Sequence, residues 1–229
     1  NAGLGIDASD GPYAAAFVLH QLVAFQGVQN VRVLSFWTFS DIFEEQGFQS
    51  VPYTQQFGML NVYGVPKPSY RAYEMIGGVE RMGQYSVQSV GSVGSVDVVA
   101  VSALSNGNGD GNAGGGVMYD VTVLCTNFDV RGNEVLTETV NLVFVNSSSF
   151  TYPPSATIEI IDKETAHGAA MWMVAGRPAY PTADEIEKEM EVSQLRKIPI
   201  YFLSTEKGPA LSFVLKPYAS ARIQFRVVM

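Results

Sequence analysis

The segment Val31-Arg-Val-Leu-Ser-Phe-Trp-Thr-Phe39 is almost wholly β-branched, aliphatic or aromatic. A strand with one wet face alternates apolar and polar residues. This run does not alternate, so it predicts a strand covered on both faces, as in a parallel sheet flanked by helices. Its surroundings fit that layering. Upstream, Gly11-Pro12 marks a turn, and Tyr13 to Phe25 presents a broad apolar helical face of Phe17, Val18, Leu19, Leu22 and Phe25 that Gly27 can end. Downstream, a long polar stretch laced with aromatics runs from Ser40 to Tyr63. Pro66-Lys67-Pro68 then breaks the chain before a second helix, Ser69 to about Met82. Helix, buried strand, long loop and helix is the order expected where a barrel of alternating strands and helices ends.

After Gly83 the rhythm changes to short alternating runs at Val96–Ala103, Val117–Asn127, Glu134–Val145, Thr157–Ile161, Ile198–Leu203, Ala210–Leu215 and Arg222–Val228. Turn-rich segments separate them, which predicts an antiparallel β-sandwich over residues 84–229. One helical insert interrupts it near 182–192. There Thr182-Ala-Asp-Glu185 has capping-box spacing, and the acidic run behind it reads as a solvated helix face. The fold class is therefore α/β plus all-β, with residues 1–83 as the last βα units of an incomplete barrel.

Composition excludes several functions. With a formal charge of −8 and no basic patch, the chain lacks the Lys and Arg surplus that neutralises nucleic-acid phosphates. No apolar run is long enough to cross a bilayer as a helix. The chain opens on Asn1-Ala2-Gly3, without an initiator Met or signal peptide, and reads as the middle of a longer sequence. The single cysteine, Cys125, lies in phase with Val121 and Val123 and reads as a buried strand residue. The Gly- and Asn-rich stretch from Ser105 to Gly116 echoes a calcium loop, but Val117 stands where the bidentate Glu belongs, so a plain surface loop is expected. His20 and His167 are the only histidines; they do not form the His-Glu-x-x-His motif of a zinc protease, and each is expected to be a satisfied or surface residue rather than a ligand. Asn146-Ser147-Ser148 is an N-glycosylation sequon.

The chemistry concentrates in Ser35-Phe-Trp-Thr-Phe-Ser-Asp-Ile-Phe-Glu-Glu45, an aromatic strand end followed by paired carboxylates. In a barrel, residues just past the C-terminal end of a strand face the active site. Trp37 could stack on a sugar ring, and Glu44 or Glu45 could accept hydrogen bonds from its hydroxyls. The alternative is that Trp37 and Phe39 are core and the two acids belong to a solvated loop.

Those same residues, from Leu34 to Glu45, closely resemble the last barrel strand and loop of glycoside hydrolase family 39, the β-xylosidases and α-L-iduronidases. Asp10-Gly-Pro-Tyr-Ala-Ala-Ala16 resembles the start of that family's helix after the seventh strand. Phe57-Gly58 and Gly64-Val-Pro-Lys-Pro-Ser-Tyr-Arg-Ala-Tyr73 resemble the entry to its eighth helix. His167-Gly168, Trp172 and Gly176-Arg-Pro-Ala-Tyr-Pro-Thr182 resemble its sandwich segment. The resemblance implies the C-terminal portion of a retaining glycosidase, ending a (β/α)8 TIM barrel and followed by the β-sandwich. It implies Trp37, Glu44, Glu45 and Phe57 as substrate-binding residues, and neither a cofactor nor a metal. Both catalytic Glu residues fall outside the chain, the nucleophile just before Asn1. The partners implied are the N-terminal part of the same precursor, with barrel strands 1–7, and a saccharide. With the sequon at Asn146, a secreted, lysosomal or cell-surface location is expected. Two positions depart from the family pattern: Thr54-Gln55-Gln56 stands where His-Gly-Gly is usual, and Ser9 where a His is common. They leave open a catalytically inactive carbohydrate-binding or structural glycoprotein that keeps the fold.

Overall fold

In a computed structural model, residues 8–25, 28, 30–31, 33–42, 47, 49–80, 85–105, 116–129, 134–145 and 150–229 are described. Helix α1 is Pro12–Phe25 and α2 is Pro68–Glu80. Strands β1 (Tyr85–Val93), β2 (Val96–Leu104), β3 (Met118–Asn127), β4 (Glu138–Val143) and β5 (Ser155–Ile161) follow. Then come α3 (Gly168–Val174), α4 (Ala183–Val192), β6 (Ile198–Tyr201), β7 (Leu203–Thr205), β8 (Gly208–Leu215) and β9 (Ser220–Val228). Both long helices start at a proline, whose fixed φ suits the first helical position and whose missing N–H is not needed there.

The strands form a six-stranded sheet, in the order β1-β2-β3-β9-β5-β6, and a three-stranded sheet, β4-β8-β7. Every ladder is antiparallel. Strict alternation sends the side chains of the large sheet two ways. Val123, Cys125, Ile158, Ile223 and Phe225 meet Val140, Leu211, Phe213 and Leu215 of the small sheet in one core. Val99, Val101, Leu124 and Ile161 point the other way, onto Ala15, Val18, Leu19, Ala72, Met75 and Val79 of α1 and α2. The large sheet is thus a shared wall, with a second sheet on one face and two helices on the other. Cys125 is buried in β3, as its phase predicts, and desolvation pushes its thiol up to about 12.

An ion pair crosses the helix–sheet layer. Arg222 of β9 and Glu159 of β5 face each other in register, and the Arg222 Nε donates to Glu159 Oε2 at 2.6 Å. Arg222 Nη1 also donates to the carbonyl oxygens of Glu74 and Met75, each at 3.2 Å. One buried guanidinium therefore ties α2 to two strands.

The run Ile198–Leu203, expected as one strand, is two strands in different sheets. The chain crosses between sheets at Phe202, whose ring packs with Phe144, Tyr152 and Phe225 at centroid separations of 5.2–5.9 Å. Periodicity cannot show such a crossing, because the apolar pattern continues through it. β1 and α3 were not expected. The Gly- and Ser-rich composition of β1 and the seven-residue length of α3 give weak local signals.

The largest departure concerns residues 31–39, expected as a strand covered on both faces. Its described residues form no strand, and Val33 is 82% exposed. Strand character needs paired edges and covered faces. Among the described residues, the segment around Phe57–Leu60 pairs with one end, where Thr38 N donates to Phe57 O and Leu60 N to Phe39 O. Gly27, Glu44, Glu45, the loop 106–115 and the sequon asparagine Asn146 lie outside the described residues.

Candidate functional site

The site is built on the described residues between Ser40 and Lys67, held by a fully buried lysine. Lys67 immediately precedes α2, and its Nζ lies 2.6 Å from Asp10 Oδ1 and 2.6 Å from Asp41 Oδ2. It donates as well to the carbonyl of Gln56, at 3.1 Å. The second oxygens of both acids bind backbone: Asp10 Oδ2 accepts from Gln55 N at 2.6 Å and Asp41 Oδ1 from Gly58 N at 2.8 Å. Burial pushes both carboxyls above the ordinary aspartate range, with Lys67 pulling each back down. Gly58 is required here, since a Cβ would overlap the backbone of Ser40 and Asp41.

Main-chain pairing completes the brace. Met59 N donates to Thr38 O at 3.0 Å, Asp41 N to Leu60 O at 2.9 Å and Lys67 N to Met59 O at 2.8 Å. Asn61 accepts through its side chain from Tyr63 N and Val65 N, each at 2.9 Å. Trp37 and Phe57 emerge from this frame, 67% and 45% exposed, and line one open hollow with Ala8, Ser9, Tyr13, Ala14, Phe17 and Phe36. Its volume is about 220 Å³, and its walls are mainly aromatic and small residues.

Two of the four substrate-binding residues expected from the sequence, Trp37 and Phe57, thus share a hollow. The other two, Glu44 and Glu45, fall outside the described residues. Ser9 and Tyr13 were not singled out as site residues. Both lie in or beside the family-like block that starts at Asp10, but the packing of α1 and the turn before it is what brings them to the hollow. Both histidines have partners: His20 Nδ1 lies 2.6 Å from Asp97 Oδ2, and the buried His167 Nδ1 lies 3.1 Å from Lys163 O.

Gln55, in the tripeptide that departs from the family pattern, has φ of +61°. That region costs a residue with a side chain roughly 1 kcal/mol relative to glycine. The bond from Gln55 N to Asp10 helps hold it there. Gln55→Gly is expected to raise stability by up to about 1 kcal/mol and Gln55→Val to lower it by more. Urea denaturation of the pair measures both.

Behind the loop lies a second buried polar contact. Tyr53 is packed on Trp172, with ring centroids 5.4 Å apart, and its hydroxyl donates to Glu189 Oε2 at 3.1 Å. Glu189 is 1% exposed, and burial lifts its carboxyl to about 7. Gly168 lets α3 approach, since a Cβ there would come within 2.7 Å of the Tyr53 hydroxyl. A raised carboxyl binds its proton more tightly in the folded state, so stability falls as pH rises from about 4.5 to about 7 and then levels off. The drop for this group is on the order of 3 kcal/mol. Glu189→Gln is expected to flatten that part of the profile, as thermal melts from pH 4 to 8 would show.

Comparison with known proteins bears on this geometry. The family model described as glycosyl hydrolases family 39 matches residues 7–202. A β-xylosidase of Caldicellulosiruptor saccharolyticus is 28% identical over 188 residues, covering 82% of this chain and 35% of that protein. The chain thus spans about a third of that relative's length. Among solved structures, a β-xylosidase from Caulobacter crescentus superposes with a TM-score of 0.64 at 18% identity, covering 96% of this chain and 40% of the other. The family 39 enzyme from Xanthomonas axonopodis pv. citri gives 0.65 at 14%, covering 96% and 41%. Such identities speak for the shared fold.

Proposed function

This chain belongs to glycosyl hydrolase family 39, and from that membership we propose that it is the C-terminal part of a retaining glycosidase acting on xylosides. In this reading residues 1–83 end a (β/α)8 TIM barrel and residues 84–229 are the sandwich beside it. The observation that carries the reading is the pairing of Trp37 and Phe57 around one hollow, on a loop braced from beneath. An aromatic face offers a pyranose an apolar surface matching its axial C–H groups, and leaves the sugar hydroxyls free to meet polar partners. Glu44 and Glu45 supply those partners, accepting hydrogen bonds from the hydroxyls.

Hydrolysis with retention uses two carboxyl groups about 5–5.5 Å apart, one protonating the leaving oxygen and one attacking the anomeric carbon. Both come from the N-terminal part of the same polypeptide, which carries barrel strands 1–7 and is the docking partner of this chain. Exposed Val31, Val33, Leu34 and Ile42 support that arrangement, because each is a large apolar side chain that a further barrel segment would take out of water. The sequon at Asn146 fits a secreted, lysosomal or cell-surface glycoprotein.

A second reading, a binding protein without catalysis, is favoured by one observation. Thr54-Gln55-Gln56 replaces the usual His-Gly-Gly and has its backbone tied into the Lys67 cluster rather than left open. The polypeptide containing this chain, assayed on an aryl β-xyloside with a Trp37→Ala variant beside it, decides. Turnover that falls at least tenfold in Trp37→Ala, about 1.4 kcal/mol of transition-state stabilisation, supports the enzyme. Xylose binding without turnover supports the binding protein, and neither activity overturns both.

A further inference from the structure

The aromatic pair of the hollow stands on a buried ionic cluster that the proposed chemistry does not use. Asp10 lies just before α1, Asp41 just beyond the Trp37 segment, and Lys67 at the entry to α2. These three residues come from three separate parts of the chain and meet within 2.6 Å contacts at Lys67 Nζ. None of them lines the hollow. Each, however, is one bond from a segment that does. Asp41 Oδ1 accepts from Gly58 N, next to Phe57. Asp10 Oδ2 accepts from Gln55 N, and Lys67 donates to Gln56 O on the other side of Phe57. Phe57 O in turn accepts from Thr38 N, the residue after Trp37.

We propose that Lys67, Asp10 and Asp41 form a positioning clamp that fixes Phe57 and Trp37 relative to Tyr13 and so sets the shape of the sugar-facing wall. Lys67 acts only through these segments and touches no substrate. Simple core filling would not require this arrangement. A buried lysine with two buried carboxylates is an expensive way to occupy space, and apolar residues of equal volume commonly serve as well or better. What the ionic cluster adds is direction. Two carboxylates each divide their oxygens between Lys67 and one backbone amide, so the amides of Gln55 and Gly58 are held at fixed points on either side of Phe57. The inference rests on the sugar-binding reading for its function but not for its geometry, and the test separates the two.

The polypeptide containing this chain is labelled with 5-fluorotryptophan, and the Trp37 and Trp172 fluorine signals are assigned by their loss in Trp37→Phe and Trp172→Phe. The variant Asp10→Asn/Asp41→Asn/Lys67→Met replaces the ions with neutral groups of similar size, avoiding an uncompensated charge. The expected result is a shifted or broadened Trp37 signal, an unchanged Trp172 signal and a xylose Kd raised at least tenfold. A folded variant whose Trp37 signal and xylose affinity both match the parent overturns the clamp. If the parent itself shows no response to xylose or xylo-oligosaccharides, the sugar reading fails, and the Trp37 signal still decides the geometric claim. Should the triple variant not fold, Asp41→Asn alone keeps the acceptor for Gly58 N and removes one ionic arm. It should move the Trp37 signal in the same direction by less, and no movement refutes the clamp.

Discussion

Lys67→Met is expected to destabilise the protein by about 3–5 kcal/mol, the loss that follows when one member of a buried ionic group is deleted and its partners stay behind. The methionine fills much of the lysine volume, so the effect is not one of a cavity. It comes from Asp10 and Asp41, which lie buried within reach of the same cation and would be left without it. Both carboxyls already sit above the ordinary aspartate range because of burial. Without Lys67 they would rise further and take up protons, so the variant should regain stability as pH is lowered through the upper carboxylate range. Denaturant melts of parent and variant at pH 5 and pH 8 measure this. A penalty of the same size at both pH values would show that packing, not charge, is what Lys67 supplies.

Arg222→Met should have a comparable effect, about 3–5 kcal/mol, by the same mechanism at a different layer. It strips Glu159 of its partner in the middle of the large sheet and removes the donor to the carbonyls of Glu74 and Met75 midway along α2. Glu159→Gln/Arg222→Met should recover a substantial part, because the buried charge is then gone. The two sites differ in what else responds. Loss of Arg222 should loosen α2 against β5 and β9, seen as faster hydrogen exchange in α2, and leave the amides of Thr38 and Gly58 protected. Loss of Lys67 should do the reverse. If α2 exchange were unchanged in Arg222→Met, the guanidinium would not be the tie between helix and sheet that its contacts indicate.

Much of the fold is legible from pattern alone. β2, β3, β5, β8 and β9 lie where the sequence runs place them, because short β-branched and aromatic runs bounded by turn-rich segments mark strands whether one face or both is covered. The Thr182–Glu185 box caps α4 as its spacing predicts, with Thr182 Oγ1 accepting from Glu185 N and the Glu185 carboxylate accepting from Thr182 N. Such features depend on neighbours within a few residues, and the same holds for the proline starts of α1 and α2.

Tertiary structure alone decided the rest. Nothing local in Asp10, Asp41 or Lys67 announces a cluster, since the three are 31 and 26 residues apart and lie in three separate blocks of the sequence. Their meeting depends on how α1, the loop and α2 pack on the sheet. Chain crossing at Phe202 depends likewise on which sheet has an edge free to pair, a property of the assembled layers. Residues 31–39 show the converse. Their composition asks for cover on both faces, and Val33, Leu34 and Trp37 remain exposed. Composition states what a segment needs buried; only the surrounding chain supplies the surface that buries it.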